Sequence, residues 1–386
     1  MRPVSIIGAY ETRWGVLKER TIHDLLAEAG AGALTNAGLE SEAIQFIYLG
    51  NAFAETLTGQ AALASVAADA IGIPHVPGIR FECACCSGAA ALRDAYLHVA
   101  AGIYDFVLVA GVEKMNTRPM PEILRAIAAS FSQEDQAAGI VAPAVFALYA
   151  QAHMAKYGTT RAHLASVAAK NYANGLLNPV AHWRKPVSID EILASPMIAE
   201  PLSRHDCSLV TDGAAALVLC PAESAGRFQT KPINIKASAI AGESYKIACR
   251  DSYTSFSSTV RAAAAAYAAA KVGPKDISAA ETHDCFTITE LINLEDLGFF
   301  ARGDAAGATQ AGFTSRGGAL PINVSGGLKA KGHAIGATGV GQVVEAVSQL
   351  RGEAGVRQID HLDLFLTHML GGAPSVSVVH IFERGY

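Results

Sequence analysis

Phe81-Glu-Cys-Ala-Cys-Cys-Ser-Gly88 is the stretch from which the rest of the chain can be read. It follows a short extended approach, His75-Val-Pro-Gly-Ile-Arg80, and leads into Ala89 to Gly102, where Ala90, Leu92, Ala95, Tyr96 and Val99 give helical apolar spacing. Phe106-Val-Leu-Val-Ala110 then reads as a short, wholly apolar strand closed by Gly111. A cysteine at a strand-to-helix elbow sits among unsatisfied N–H groups at the positive end of a helix dipole. Such surroundings lower a thiol's pKa and make it a nucleophile. Cys83, Cys85 and Cys86 lie too close together for a common zinc pattern. Small buried thiols would leave the same trace, so the choice rests on what the chain carries elsewhere.

Upstream, Val4 to Gly8 and Ile44 to Leu49 read as strands, and Thr21 to Gly38 as a helix capped by Thr21. A small-residue helix begins at about Gly59. Strands and helices alternating at this spacing predict parallel βαβ units with helices on both faces. The pattern then repeats. Helix Thr259 to Val272, the stop Gly273-Pro274, a strand through Ala279 to His283 and then Phe286 parallel Thr21 to Phe53. Ile322 to Gly339, the helix Val340 to Leu350 and the strand Leu362 to Leu366 parallel Phe81 to Val109. Repetition on this scale predicts one βαβ-rich unit present twice. Two such halves packed face to face would bring their equivalent elbows together near a pseudo-twofold axis.

The 386 residues suit two or more core-sized units, and 51% apolar against 17% charged content describes buried sheets. A net charge of −5 argues against a nucleic-acid surface. Seven cysteines, an odd number, are not a disulfide framework and point to a reducing, cytoplasmic setting. No signal-peptide pattern or membrane span is read. Residues 119–194 break the pattern and are expected as an insertion. Lys114 to Gln136 is irregular and proline-marked; Ala142 to Tyr157, Thr159 to Asn174 and Ile189 to Leu193 are helical. Its Lys156, Arg161, Lys170, Arg184 and Lys185 are either solvated or face an anion. The expected division is 1–118, the insertion 119–194, completion of the first half over 195–228, and a second half over 229–386.

Chemistry concentrates in two further places. Glu281-Thr-His-Asp-Cys-Phe286 sets His283 and Cys285 at a strand end, where functional groups gather in open α/β sheets. Asn323 to Gly339 carries several glycines around His333, allowing close backbone approach to a ligand. It is neither a Walker sequence nor a dinucleotide fingerprint. His361, His368 and His380 receive no role. An elbow cysteine, a second cysteine and two histidines fit nucleophilic acyl transfer. Metal hydrolysis fits less well, because no two-His-plus-carboxylate spacing occurs, and no metal site is expected.

With these residues in view the chain resembles the thiolases. Cys85-Cys86-Ser87-Gly88 is similar to their C-x-S-G nucleophile motif, and Gly332-His333 with Gly336-Ala-Thr-Gly339 to G-H-x-x-G-A-T-G. His283-Asp-Cys-Phe286 resembles the H-D-C-F of the sterol-carrier-protein-2 (lipid-transfer) branch, which replaces N-E-A-F. Asp212-Gly-Ala-Ala-Ala216 and Asn178-Pro179 also fit. The resemblance implies two duplicated halves in five αβαβα layers with an inserted loop domain, usually at least a dimer. It implies Cys85 as the acylated nucleophile and His333 as its activator and a donor to the substrate oxygen. His283 would stand beside that first oxyanion hole, with the N–H groups of Cys85 and Gly371 forming a second. Two holes suit Claisen chemistry, which builds charge on an enolate and on a tetrahedral oxygen in turn.

Three departures matter. Where other thiolases carry an acid/base cysteine near the C-terminus, this chain has Met369-Leu370-Gly371-Gly372, so the resemblance hands that role to Cys285. Ala334 replaces the usual proline after the histidine, which is expected to loosen that loop. Cys86 stands beside Cys85 as a competing thiol. The implied activity is cleavage of a 3-oxoacyl-CoA by CoA, or the reverse condensation, extending to branched or aromatic substrates. CoA is a substrate, with no bound cofactor, and is expected along the insertion and Ser325-Gly326-Gly327. Implied partners are acyl-CoA, further copies in a dimer or tetramer, and a small OB-fold/zinc-ribbon subunit. The alternatives are a retro-aldolase or condensing enzyme on the same fold, and a non-catalytic lipid- or acyl-binding scaffold.

Overall fold

The computed structural model describes residues 1–386. β1 (Val4–Glu11) leads to α1 (Ile22–Ala37), capped at one end by the Thr21 side chain and closed at the other by Gly38 at φ 66°. Then come β2 (Phe46–Gly50), α2 (Ala54–Thr58), α3 (Leu63–Ala70), β3 (Gly78–Phe81), α4 (Ser87–Ala100) and β4 (Val107–Glu113). The insertion holds α5 (Met120–Ala128), α6 (Gln133–Ala137), α7 (Ala142–Tyr157), α8 (Arg161–Leu177), α9 (Ile189–Leu193) and the small ribbon β5 (Met197–Ala199) and β6 (Leu202–Ser203). β7 (Gly213–Pro221) and α10 (Ala222–Ala225) return to the first half. The second half runs β8 (Ile233–Gly242), α11 (Ser257–Ala270), β9 (Ala279–Glu281), α12 (Thr287–Asp296), α13 (Ala305–Gln310), α14 (Gly327–Ala330), α15 (Ile335–Arg351), β10 (Leu364–Gly371) and β11 (Val376–Arg384).

The nine long strands form one sheet in the order β3-β2-β4-β7-β1-β8-β11-β10-β9. Read from its outer edges inward, each half has the same plan. β2 and β4 are parallel, followed by β7 and β1 antiparallel; β9 and β10 are parallel, followed by β11 and β8 antiparallel. Ile322 bridges Ala280 in parallel, standing where β3 stands in the first half. Within the sheet the halves pair through two residue pairs only, Ser5 with Asn234 and Ile6 with Ile233.

Side-chain alternation explains the layering. On β4, Val107 and Val109 join the core around α4 and α15, whereas Leu108, Ala110 and Val112 join the core under α1 and α3. Both faces of such a strand are buried, which is why it reads as continuously apolar. α4 and α15 pack on each other between the two half-sheets, and α11 covers β8 and β11 on the far side. Outer helices, half-sheet, α4 with α15, half-sheet, outer helices: five layers result.

Two local expectations need correction. Residues 114–136 are not irregular throughout, because α5 and α6 lie there. Pro119 and Pro121 sit at the start of α5, where a missing N–H costs nothing, and Ile123 and Ala126 bury against Phe53, Leu57 and Ile335. And Gly336 to Gly339 are the first turn of α15, not a loop before it. A Cβ on Gly336 would meet Asn51 Cα at 2.5 Å, and one on Gly339 would meet Ala89 N at 2.6 Å. These glycines serve backbone-to-backbone contact between the halves rather than a ligand. That contact brings the start of α15 against the start of α4.

Candidate active site

The elbow before α4 is built by one serine. Ser87 Oγ accepts from the Cys83 N–H at 3.0 Å and donates to the Ala84 carbonyl at 2.6 Å. Ala84 is held at φ 48°, a left-handed conformation unusual outside glycine and often found where function fixes the backbone. The turn separates the two neighbouring thiols. Cys86 is fully buried, its Sγ 3.4 Å from the Val376 carbonyl, packed with Ala89, Met369 and Val378. Cys85 lines a cavity of about 150 Å³. Met369, buried with Cys86, lies outside that cavity's lining.

Cys85, His283, Cys285 and His333 all line this one cavity. Cys85 Sγ is 3.3 Å from His333 Nε2. His333 Nδ1 lies 2.8 Å from Thr338 Oγ1, whose hydroxyl donates to the Ala334 carbonyl at 3.0 Å. With its proton committed there, the threonine oxygen accepts from Nδ1–H. His333 is thereby fixed as the tautomer whose Nε2 lone pair faces the thiol. Ala334 in this loop is fully buried, and the His333 N–H bonds the Leu209 carbonyl at 3.2 Å.

His283 follows β9. Its ring lies edge-on to that of His333 with centroids 5.4 Å apart, and its carbonyl accepts from Asn293 Nδ2 at 2.8 Å. Its Nδ1 is buried without a partner. Cys285 Sγ is 3.8 Å from Thr289 Oγ1. Residues Cys207 to Val210 tie these groups together. Cys207 bridges Phe286, the Ser208 N–H bonds the Cys285 carbonyl at 2.8 Å, and Val210 bridges His333.

The expected lowering of the nucleophile's pKa is not found. Burial pushes the Cys85 thiol up to about 12, opposed by the N–H of Gly372 and its own. Burial holds His333 down to about 3, pushes His283 well below the usual imidazole range and lifts Cys285 well above the usual thiol range. Burial therefore favours a neutral thiol and a neutral imidazole in the resting pair. A sign follows. A base held at about 3 stays unprotonated above that pH, and a thiol held at about 12 stays protonated below it. Stopped-flow acylation is expected to vary by less than about twofold between roughly pH 5 and pH 9. A bell centred near neutrality would show a preformed ion pair instead.

Thr338 is the residue that sequence reading missed, because placing the helix start at Val340 hid its reach back to His333. Thr338→Val removes the acceptor while keeping the shape. It is expected to slow acylation about 10- to 100-fold with little change in KM, measured by single-turnover kinetics. Gly371, expected to supply an oxyanion N–H, ends β10 with its Cα packed on the Cys83 carbonyl. Gly372, one residue on, lines the cavity, and its N–H works against the burial that raises the Cys85 thiol.

Ser325, Gly326 and Gly327 do not line the cavity that holds Cys85. All three are buried. Ser325 Oγ and N–H bond the Glu281 carboxylate at 2.5 and 2.9 Å, and Gly326 lies on Gly175 of α8. Gly327 crowds the Asp284 carboxylate, which accepts from the Leu328 N–H at 2.7 Å and from Asn171 at 2.8 Å. Their glycines let the insertion dock on the second half. Lys170 is likewise internal, 3.0 Å from Glu290, whereas Arg184 and Lys185 remain exposed. A larger surface groove of about 860 Å³ beside Lys275, Arg316 and Asp360 contains none of the reactive groups.

A cysteine and a histidine presented across the dyad of a duplicated five-layer fold are the arrangement that acyl transfer through a thiol requires. Residues 4–223 match the thiolase N-terminal domain and residues 239–384 the thiolase C-terminal domain-like family. The chain belongs to the thiolase superfamily, in the part that includes the sterol-carrier-protein-2 type. It is 42% identical to an acetyl-CoA acetyltransferase of Methanothermobacter thermautotrophicus over the full length of both. It is 32% identical to sterol carrier protein 2 of Bos taurus, over 99% of this chain and 72% of that protein. Among solved structures, the Ltp2–ChsH2(DUF35) aldolase superposes with a TM-score of 0.86 at 25% identity, covering 99% of this chain and 98% of that one. The protein is an acyltransferase of thiolase type that uses CoA as a substrate. No helix is long and apolar enough to cross a membrane.

Proposed function

We propose that the protein interconverts acetyl-CoA and a short 3-oxoacyl-CoA, through an acyl group carried on Cys85. The observation that supports this reading most is the 3.3 Å contact between Cys85 Sγ and the free Nε2 of His333 inside the shared cavity. In the cleaving direction Cys85 sulfur bonds the keto carbon while its proton passes to His333. The tetrahedral oxygen is held by the N–H groups of Cys85 and Gly372. The carbon–carbon bond then breaks, its electron pair leaves as an enolate beside His283 and His333, and Cys285 supplies the proton that makes acetyl-CoA. The sulfur of free CoA takes the acyl group, its thiol proton makes good the one that Cys285 gave up, and the Cys85 sulfur regains its own from His333.

Cavity size bears on the substrate. About 150 Å³ is well below the roughly 300 Å³ at which drug-sized ligand sites begin, which favours short unbranched acyl groups over branched or aromatic ones. Leu124, Ile127 and Phe131 from the α5 region and Phe146 of α7 form the apolar wall, with Phe146 stacked on Phe286 at 4.7 Å. Phe146→Ala is expected to raise kcat/KM for hexanoyl relative to acetyl transfer at least about tenfold, measured with paired substrates. We read residues 119–194 as the cover over this pocket, between half-units divided at 118, 194 and 228. Arg125, Lys156, Arg184 and Lys185 are the exposed basic groups on that insertion available to CoA phosphates. The aldolase complex supports a second, small OB-fold/zinc-ribbon type of subunit beside a thiolase dimer or tetramer.

That same neighbour favours a second reading, retro-aldol cleavage, which needs no acyl-enzyme. Intact-mass and peptide mass spectrometry after mixing with acetyl-CoA and acetoacetyl-CoA distinguishes the two. Acetylation of the Cys85 peptide supports the thiolase reading. Cleavage of a 3-hydroxyacyl-CoA, offered in a parallel reaction, into a ketone or aldehyde and an acyl-CoA without any adduct supports the aldolase.

A further inference from the structure

We propose that Cys85, His283 and His333 also form a binding site for a soft divalent metal ion such as Zn2+, and that its occupancy switches the enzyme off. One ligand atom from each of the three residues lies within 4.8 Å of the other two. In a tetrahedral site with Zn–S near 2.3 Å and Zn–N near 2.1 Å, ligand atoms stand about 3.5 Å apart. The sulfur and His333 Nε2, at 3.3 Å, already have that spacing. Rotation of the His283 ring supplies the remaining approach of about 1 Å.

A second observation is independent of the spacing. His283 is 1% exposed and its Nδ1 has no hydrogen-bond partner. His283 is thus a buried imidazole with an unpaired nitrogen and with a ring nitrogen within 4.8 Å of the Cys85 sulfur, donor capacity that the protein fold does not use. Support behind the ligands is in place: Thr338 accepts from His333 Nδ1, so Nε2 is free to bind. No carboxylate lines the cavity, and one sulfur with two nitrogens selects a soft or borderline ion over Mg2+ or Ca2+. Sequence separation hides the set, since its members stand at 85, 283 and 333. Hence the expectation of no metal site.

On binding, the Cys85 S–H bond breaks, a sulfur–metal bond forms and the proton leaves to solvent, with no change of oxidation state. The fourth position faces the cavity, open to water or to the thiol of an incoming CoA. Because the same sulfur attacks the substrate, metal and acyl group exclude each other.

Chelator-treated, reduced wild-type protein is alkylated with iodoacetamide with and without Zn2+, and each cysteine is followed by mass spectrometry. One equivalent of Zn2+ is expected to slow alkylation of Cys85 at least about tenfold and to leave exposed Cys249 unchanged. Co2+ in place of Zn2+ is expected to give a thiolate charge-transfer band that Cys85→Ser abolishes and His283→Asn weakens. Unaltered Cys85 alkylation, or a band that survives Cys85→Ser, overturns the site. Neither result bears on the acyl-enzyme, which is tested separately in metal-free buffer by its mass.

Discussion

Cys85→Ala is expected to give no covalent adduct with any acyl-CoA and to lower kcat/KM by about 10⁴-fold or more, while the melting temperature stays within a few degrees of wild type. The size follows from what is lost. Without the sulfur there is no acyl-enzyme, and what remains is the binding and oxyanion donors, which elsewhere retain about 10³- to 10⁴-fold over water. The adduct is not expected to move to Cys86, whose thiol is turned to the Val376 carbonyl behind the elbow. Mass spectrometry and steady-state kinetics on the same preparation check both parts. An adduct persisting in Cys85→Ala would defeat the assignment of the nucleophile.

Cys285→Ala is expected to separate the half-reactions. Acylation of Cys85 by acetyl-CoA should persist within about tenfold, whereas condensation and cleavage should fall by about 10²- to 10⁴-fold, the range of a lost general acid or base. Cys285 lines the cavity, while Met369, which stands in the usual acid/base position, is buried outside it with Cys86 and Val378. Burial lifts the Cys285 thiol well above its ordinary range, which keeps it protonated and able to deliver a proton to an enolate. Rapid-quench measurement of acyl-enzyme beside turnover checks this. Equal losses in both half-reactions would instead make Cys285 a packing residue, since its side chain also belongs to the apolar core with Phe146 and Phe286.

The duplicated α/β plan was legible because it is written in local patterns. Thr21 and Gly38 bracket α1, Ala142–Tyr157 and Ile189–Leu193 read as helices, and the wholly apolar run of β4 reads as a strand, buried on both faces in the structure. Cys85, His283, Cys285 and His333 stood out because reactive side chains at strand ends and elbows have few structural reasons to cluster. Where expectations failed, the cause was contact at long range. Gly336 to Gly339 looked like a ligand loop, yet they are small because Asn51 and Ala89 press against them. Ser325 to Gly327 looked like a CoA cradle, yet they seat the insertion. Sequence shows that a backbone must come close to something; it does not show to what.

By itself, then, the sequence determined the elements, their repetition and the reactive residues, because helix caps, side-chain period and residue chemistry act within a few positions. Only the tertiary structure decided that Cys85 rather than Cys86 faces the cavity, that Thr338 sets the His333 tautomer, and that burial favours a neutral resting pair. Those outcomes depend on solvent exclusion and on groups brought from 248 residues apart, and neither quantity is carried by any stretch of chain alone.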